Sequence, residues 1–309
     1  MAEAATKHAV VTGANKGIGY EIVRQLASNG VTTVLTARDE KRGLEAVEKL
    51  KQSGFDNVIF HQLDVADPAA IHSLANFIRS HFGKLDILVN NAGISGVCMD
   101  GNDLSGVVKV NRSGTSGVIL EGDNFSGFVK VYFDIFFSLF FSFSFFPPCH
   151  PQAYLMCEAL IPFLQLSDSP RIVNVSSSWG KLKYVTNEWA KGVLSDVENL
   201  TEERVDEVLR EYLNDFKLGS LETKGWPVSM SAYVVSKVAI NAYTRILVKK
   251  FPNLHINCIC PGYVKTDMNY NNGKLTTEEG AESPVWLALL PNGGPSGLFF
   301  SRKEETSFD

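Results

Sequence analysis

The 309-residue chain has no Cys-x-x-Cys pair, and its five cysteines are an odd number. That usage argues against a disulfide framework and fits the reduced thiols of a cytoplasmic protein. His8, His61, His72, His81, His150 and His255 are dispersed and read as structural or surface histidines, so no metal is expected. An excess of one charge is missing too: 29 Lys and Arg against 34 Asp and Glu leave a formal net charge of −5. The basic residues form no stripe, which argues against nucleic acid as a partner. Met1–Thr6 holds no apolar stretch, so no secretory signal is expected there. The run Ile135–Phe146 is 12 residues long, short of the ~20 that a membrane helix needs. A membrane span is therefore not expected.

What is present begins at the N-terminus. His8–Thr12 is a short β-like run ending in Thr12-Gly13-Ala14-Asn15-Lys16-Gly17-Ile18-Gly19. A helical pattern with Ile22, Val23, Leu26 and Ala27 follows. Glycines at a strand-to-helix turn let the backbone approach a pyrophosphate, and the helix N-terminus supplies free N–H groups. The turn thus reads as a dinucleotide site, with GxxxGxG spacing. The second strand, Thr33–Ala37, ends in Arg38, where an acidic residue would hold the ribose of NAD. A basic residue there suits the 2′-phosphate of NADP, and Lys16 is a candidate second cation. NADP(H) is expected in preference to NAD(H). The plain alternative is that both are solvated surface charges, and Asp39 stands next door.

Tyr233 is followed four residues later by Lys237, inside a run with Val238, Ala239, Ala242, Ile246 and Leu247 apolar. That periodicity predicts a helix with Tyr233 and Lys237 on one face. A cation beside a phenol favours the phenolate, which makes a proton donor able to work near neutral pH. Tyr270 and Lys274 have the same spacing but sit in a segment that reads as a loop.

Further strands end in recognisable runs. Leu85–Val89 leads to Asn90-Asn91-Ala92-Gly93, Arg171–Val175 to Ser176-Ser177-Ser178-Trp179-Gly180, and His255–Cys260 to Pro261-Gly262-Tyr263-Val264-Lys265-Thr266. With the glycine turn and the Tyr233/Lys237 pair, these make residues 6–97 and 153–301 resemble the short-chain dehydrogenase/reductase family. Pro162–Arg171, Asn187–Gly192, Gly225-Trp226-Pro227 and Pro295–Phe300 are similar to one plant branch. That branch comprises the monomeric carbonyl reductases that include neomenthol dehydrogenase and salutaridine reductase.

The resemblance implies an α/β fold of Rossmann type: a doubly wound parallel sheet in a single domain. It also implies an oxidoreductase that uses NADPH on small ketones or secondary alcohols, monoterpenoid ones above all. The substrate would be the partner, and the enzyme a monomer. The implied catalytic residues are Ser177, Tyr233 and Lys237. The implied cofactor contacts are Gly13, Asn15, Lys16, Gly17, Ile18, Gly19, Arg38, Asp64, Val65, Asn90, Tyr233, Lys237, Pro261, Gly262, Val264 and Thr266. Two plainer roles stay open, strand-end hydrogen bonding for Ser177 and turn formation for Asp64. Ser177 and Tyr233 lie 56 positions apart, far more than is usual in the family. A helical insertion at 184–227, with helical patterns over Glu188–Leu200 and Glu202–Phe216, fills that interval.

Residues 97–152 do not fit the resemblance. They are rich in Gly, Ser and Asn up to about Phe128, and Phe133–Phe146 then holds eight of the chain's 20 phenylalanines. Counting back from Met156-Cys157-Glu158-Ala159-Leu160 puts Cys149 where the family has a catalytic asparagine. Pro147, Pro148 and Pro151 fall where that helix's first turns should be. Phe, Ser and Pro are what a pyrimidine-rich stretch before a splice acceptor encodes, so an intron-derived insert is the reading of this segment. It leaves an alternative, a catalytically impaired variant that at most binds the dinucleotide.

Overall fold

Short runs of Val, Ile, Thr and Leu alternate along the chain with helices of 8 to 20 residues, and the strands form a single sheet. The computed structural model describes residues 6–93 and 152–309. The 97–152 segment, with Phe133–Phe146 and Cys149, lies outside the described residues save for its last member. The strands are β1 (His8–Val11), β2 (Thr32–Ala37), β3 (Val58–Gln62), β4 (Ile87–Asn90), β5 (Arg171–Val175), β6 (His255–Cys260), β7 (Phe299–Ser301) and β8 (Glu304–Thr306). The described helices are α1 (Gly17–Ser28), α2 (Glu40–Gln52), α3 (Pro68–His81), α4 (Gln152–Leu164), α5 (Glu188–Ser195), α6 (Glu202–Lys217), α7 (Ser231–Lys250) and α8 (Thr277–Ala288).

The sheet order is β3-β2-β1-β4-β5-β6-β7-β8. Pairing is parallel from β3 to β7, so the order reverses between β1 and β4 as in a doubly wound fold. The pleat sends Ala9, Val11, Leu35, Val89, Val173 and Ile259 to one face. There they meet Ile22, Val23 and Leu26 of α1, Val47 and Leu50 of α2, and Ala281 and Val285 of α8. On the opposite face α3 packs on α4, and α4 on β4 and β5. Burial on both faces explains why these strands read as continuous apolar runs. Each fully buried side chain such as Leu26 or Leu50 contributes about 1.5–3 kcal/mol.

Three expectations change at the element level. The strand expected over Leu85–Val89 starts at Ile87, and the Leu85 amide bonds to the Phe163 carbonyl near the end of a helix instead of to a strand. The sheet is not wholly parallel: β8 turns back on β7 through Arg302, at φ 59, and Lys303. The helix expected over Glu188–Leu200 stops at Ser195. Asp196 accepts from the Asn199 backbone N–H and side-chain amide, which offers the chain a turn in place of further helix.

The described residues group into two compact units. One comprises residues 6–93, Gln152–Ser178 and Thr244–Ser307, and holds the whole sheet. The other comprises Trp179–Tyr243 and Phe308–Asp309. In the second unit the 184–227 insertion closes on itself. Thr186 Oγ1 and Asn187 Nδ2 donate to the carbonyls of Gly225 and Lys224, at 2.8 and 2.7 Å. Val205, Val208, Leu209, Tyr212 and Leu213 form the buried stripe of α6. Asp215 at its end accepts from the Trp226 indole at 2.8 Å, and Trp226 stands edge-on to Tyr212. Asp206, buried on the same helix, accepts from the Tyr243 hydroxyl of α7. Among the described residues no helix is long and apolar enough to cross a membrane, and no group of three or more His, Cys, Asp or Glu could hold a metal.

Candidate active site

Because β1 to β7 run parallel, their C-terminal ends share one edge of the sheet, where open α/β folds bind ligands. Of the expected cofactor residues, all but Tyr233 and Lys237, which belong to α7, follow or end these strands. Gly13 to Gly19 follow β1, Arg38 follows β2, Asp64 and Val65 follow β3, Asn90 ends β4, and Pro261 to Thr266 follow β6.

The glycine turn has little room for side chains. Gly13 and Gly17 both have φ +62. A Cβ on Gly19 would lie 2.5 Å from Asn91 Nδ2 and 2.6 Å from the Gly13 carbonyl oxygen. Asn91 holds the turn down, donating to the carbonyls of Thr12 and Gly13, while the Asn91 and Ala92 amides donate to Thr12 Oγ1. Asn15 and Ile18 are partly buried, Ile18 against the core. The resulting backbone cradle at the start of α1 fits a pyrophosphate.

Beside it, Arg38 is exposed and makes no ion pair with any described residue. Asp39 accepts from the Arg42 backbone N–H as the N-cap of α2 and pairs with the Arg42 guanidinium. The carboxylate next to Arg38 is therefore committed to a helix end. Lys16 is not free: its Nζ lies 2.5 Å from Asp267 Oδ2. Asp64 Oδ1 accepts from the Ala66 amide, a turn role that leaves Val65 partly exposed.

Asn90 is buried and donates to Asn174 Oδ1, whose amide donates to Thr244 Oγ1 on α7. Its carbonyl oxygen has no partner among the described residues, so an acceptor is left over at the strand end. Beyond β6, Gly262 has φ +93, and Gly280 has no room for a Cβ, which would meet Val264 at 2.5 Å. Pro261 and Val264 are buried; Thr266 is partly exposed, its Cγ2 3.8 Å from where a Gly17 Cβ would stand. The glycine cradle, the Asn90 acceptor and the exposed Arg38 fit a dinucleotide.

Ser177 follows β5 and is 8% exposed. In the second unit Tyr233 and Lys237 share one face of α7, with Lys237 Nζ 5.8 Å from the Tyr233 ring centroid. Lys237 is buried and Tyr233 partly exposed, so the ammonium is held near the phenol with little water around it. Gly180 packs on this helix, where a Cβ would meet the Lys237 carbonyl oxygen at 2.9 Å, and Asn241 Nδ2 donates to the Gly180 carbonyl. Cys157, Cys258 and Cys260 are buried, and burial pushes the Cys157 thiol up to about 12, so it does not act as a nucleophile. Three residues that shape the site were not anticipated: Asn91, Asp267 and Asn241. Only Asn91 carried a signal, as part of Asn90-Asn91-Ala92-Gly93.

Comparison with known proteins gives consistent results. Residues 7–119 match the family described as short chain dehydrogenase. The chain is 54% identical to (+)-neomenthol dehydrogenase of Arabidopsis thaliana, over all of both chains. It is 36% identical to carbonyl reductase (NADPH) 1 of Bos taurus, over 96% of each. The solved structure of salutaridine reductase from Papaver somniferum superposes with a TM-score of 0.81 at 50% identity, covering 95% of this chain and 99% of that one.

Proposed function

The chain belongs to the short-chain dehydrogenase family, an oxidoreductase acting on carbonyl and alcohol groups, and we propose that it reduces a monoterpenoid ketone of the menthone type with NADPH. The observation that carries this reading is the pair on α7, a buried Lys237 ammonium 5.8 Å from the Tyr233 ring. When bound, the reduced nicotinamide supplies the hydride. Tyr233 donates its proton to the developing alkoxide oxygen, a step that the neighbouring cation eases by favouring the phenolate. Ser177 donates a hydrogen bond to the same oxygen and stabilises charge that exists mainly in the transition state.

Gly13, Gly17 and Gly19, with Asn15 and Ile18, would receive the pyrophosphate, and Arg38 with Lys16 the 2′-phosphate. Asp64 and Val65 would flank the adenine, while Asn90, Lys237 and the Pro261–Thr266 loop would hold the nicotinamide end. The choice of NADPH over NADH is supported by Arg38, whose neighbour Asp39 is occupied as a helix cap. It is also supported by the cofactor named for the bovine relative. The ketone class rests on the likeness to neomenthol dehydrogenase, which spans the whole chain. The reading includes a monomer acting in the cytoplasm. That the chain is a catalytically impaired variant gains nothing from these observations.

Incubating the purified chain with menthone and NADPH, and identifying the product by gas chromatography, tests the substrate. Formation of a menthol stereoisomer is expected, with NADH at least tenfold less effective because it lacks the phosphate that Arg38 pairs with. NADPH oxidation with other ketones and none with menthone would refute the substrate class alone.

A further inference from the structure

Lys16 and Asp267 are 251 positions apart in sequence and meet through a 2.5 Å ion pair between the glycine turn and the loop after β6. Both side chains are more than half exposed, at 59% and 65%, so the pair adds little to stability. Neither loop needs it. Lys16 occupies the N-cap position of α1 with extended backbone and caps nothing with its side chain. The turn Asp267–Asn269 is held independently, since Asn269 Oδ1 accepts from the Thr266 amide and its Nδ2 donates to the Val264 carbonyl. The two loops also lie close at Gly17 and Thr266, with Thr266 Cγ2 3.8 Å from where a Gly17 Cβ would stand. What the carboxylate does is neutralise one cation at the mouth of a phosphate cradle, while Arg38 nearby makes no ion pair with any described residue.

We propose that Asp267 is a positioning residue that sets affinity for the 2′-phosphate of NADP(H). It holds the Lys16 ammonium when no phosphate is present and yields it when one binds. Carboxylate and phosphate compete for one ammonium, so binding is weaker and release faster than Lys16 and Arg38 alone would give. Arg38 supplies standing attraction, whereas Lys16 must first be released. This inference rests on the dinucleotide reading above and adds to it a residue that acts through Lys16.

Titrating the purified full-length chain and its Asp267→Asn variant with NADP+ and, separately, NAD+ tests it, with release followed by stopped flow. The expected result is an NADP+ Kd about two- to five-fold lower in the variant, with slower release. The NAD+ Kd is expected to stay unchanged, and the effect to vanish in a Lys16→Met background. An equal change for both dinucleotides would mean a loop effect and overturn the proposal. So would no change for NADP+, or a change that persists without Lys16. If the unaltered chain binds neither dinucleotide, the cofactor reading fails and the proposal fails with it.

Discussion

At Gly19 a single methyl group would collide with the Asn91 amide and the Gly13 carbonyl, two groups that fix each other. Overpacking of this kind costs about 1–3 kcal/mol, so Gly19→Ala is expected to raise the NADP+ Kd by about tenfold or more. Calorimetric titration checks this, with circular dichroism to show that the fold persists. Arg38→Asp is expected to reverse cofactor preference toward NAD+, by about tenfold or more, because a carboxylate repels the 2′-phosphate and accepts from a ribose hydroxyl. Residues of this sort were legible in the sequence because the chemistry admits few alternatives to Gly, Arg, Tyr or Lys at those places. Asp267 and Asn241 were not, because each acts on a partner that only the fold brings near.

The insertion between β5 and α7 is an element with its own closure, not a loose loop. Asp215 ties the end of α6 to Trp226, and Thr186 and Asn187 tie the start of the insertion to Gly225 and Lys224. Replacing Asp215 by Ala would leave the buried Trp226 N–H without its acceptor, at a cost of about 1–3 kcal/mol, measurable as a lower urea midpoint with unchanged slope. The helical patterns over Glu188 and Glu202 were legible from their apolar spacing. The stop at Ser195 depends on a side chain folding back onto the backbone, which periodicity does not report. The hairpin of β7 and β8 was missed for a different reason: each strand has three residues, too few for any pattern.

Over the whole molecule, three histidines share one electrostatic property. Burial lowers the pKa of His8, His61 and His255 from the ordinary 6.5, although Asp86 opposes the effect at His8. Below pH 6.5 the unfolded chain therefore binds more protons at these sites than the folded one, and stability falls as pH falls. The Tm is expected to be lower at pH 5.5 than at pH 7.5; a Tm that is equal or higher would contradict this. The doubly wound sheet was expected from the family resemblance, and the alternation of strand and helix agrees with it. From that topology follows the shared edge where β1, β2, β3, β4 and β6 deliver the expected cofactor residues. The proposed reduction of menthone rests finally on Tyr233. Measuring menthone-dependent NADPH oxidation by Tyr233→Phe, alongside its NADP+ Kd, tests that most directly. Loss of turnover by about a hundredfold or more with the Kd retained is the result expected of a proton donor. Turnover close to that of the unaltered chain would contradict it.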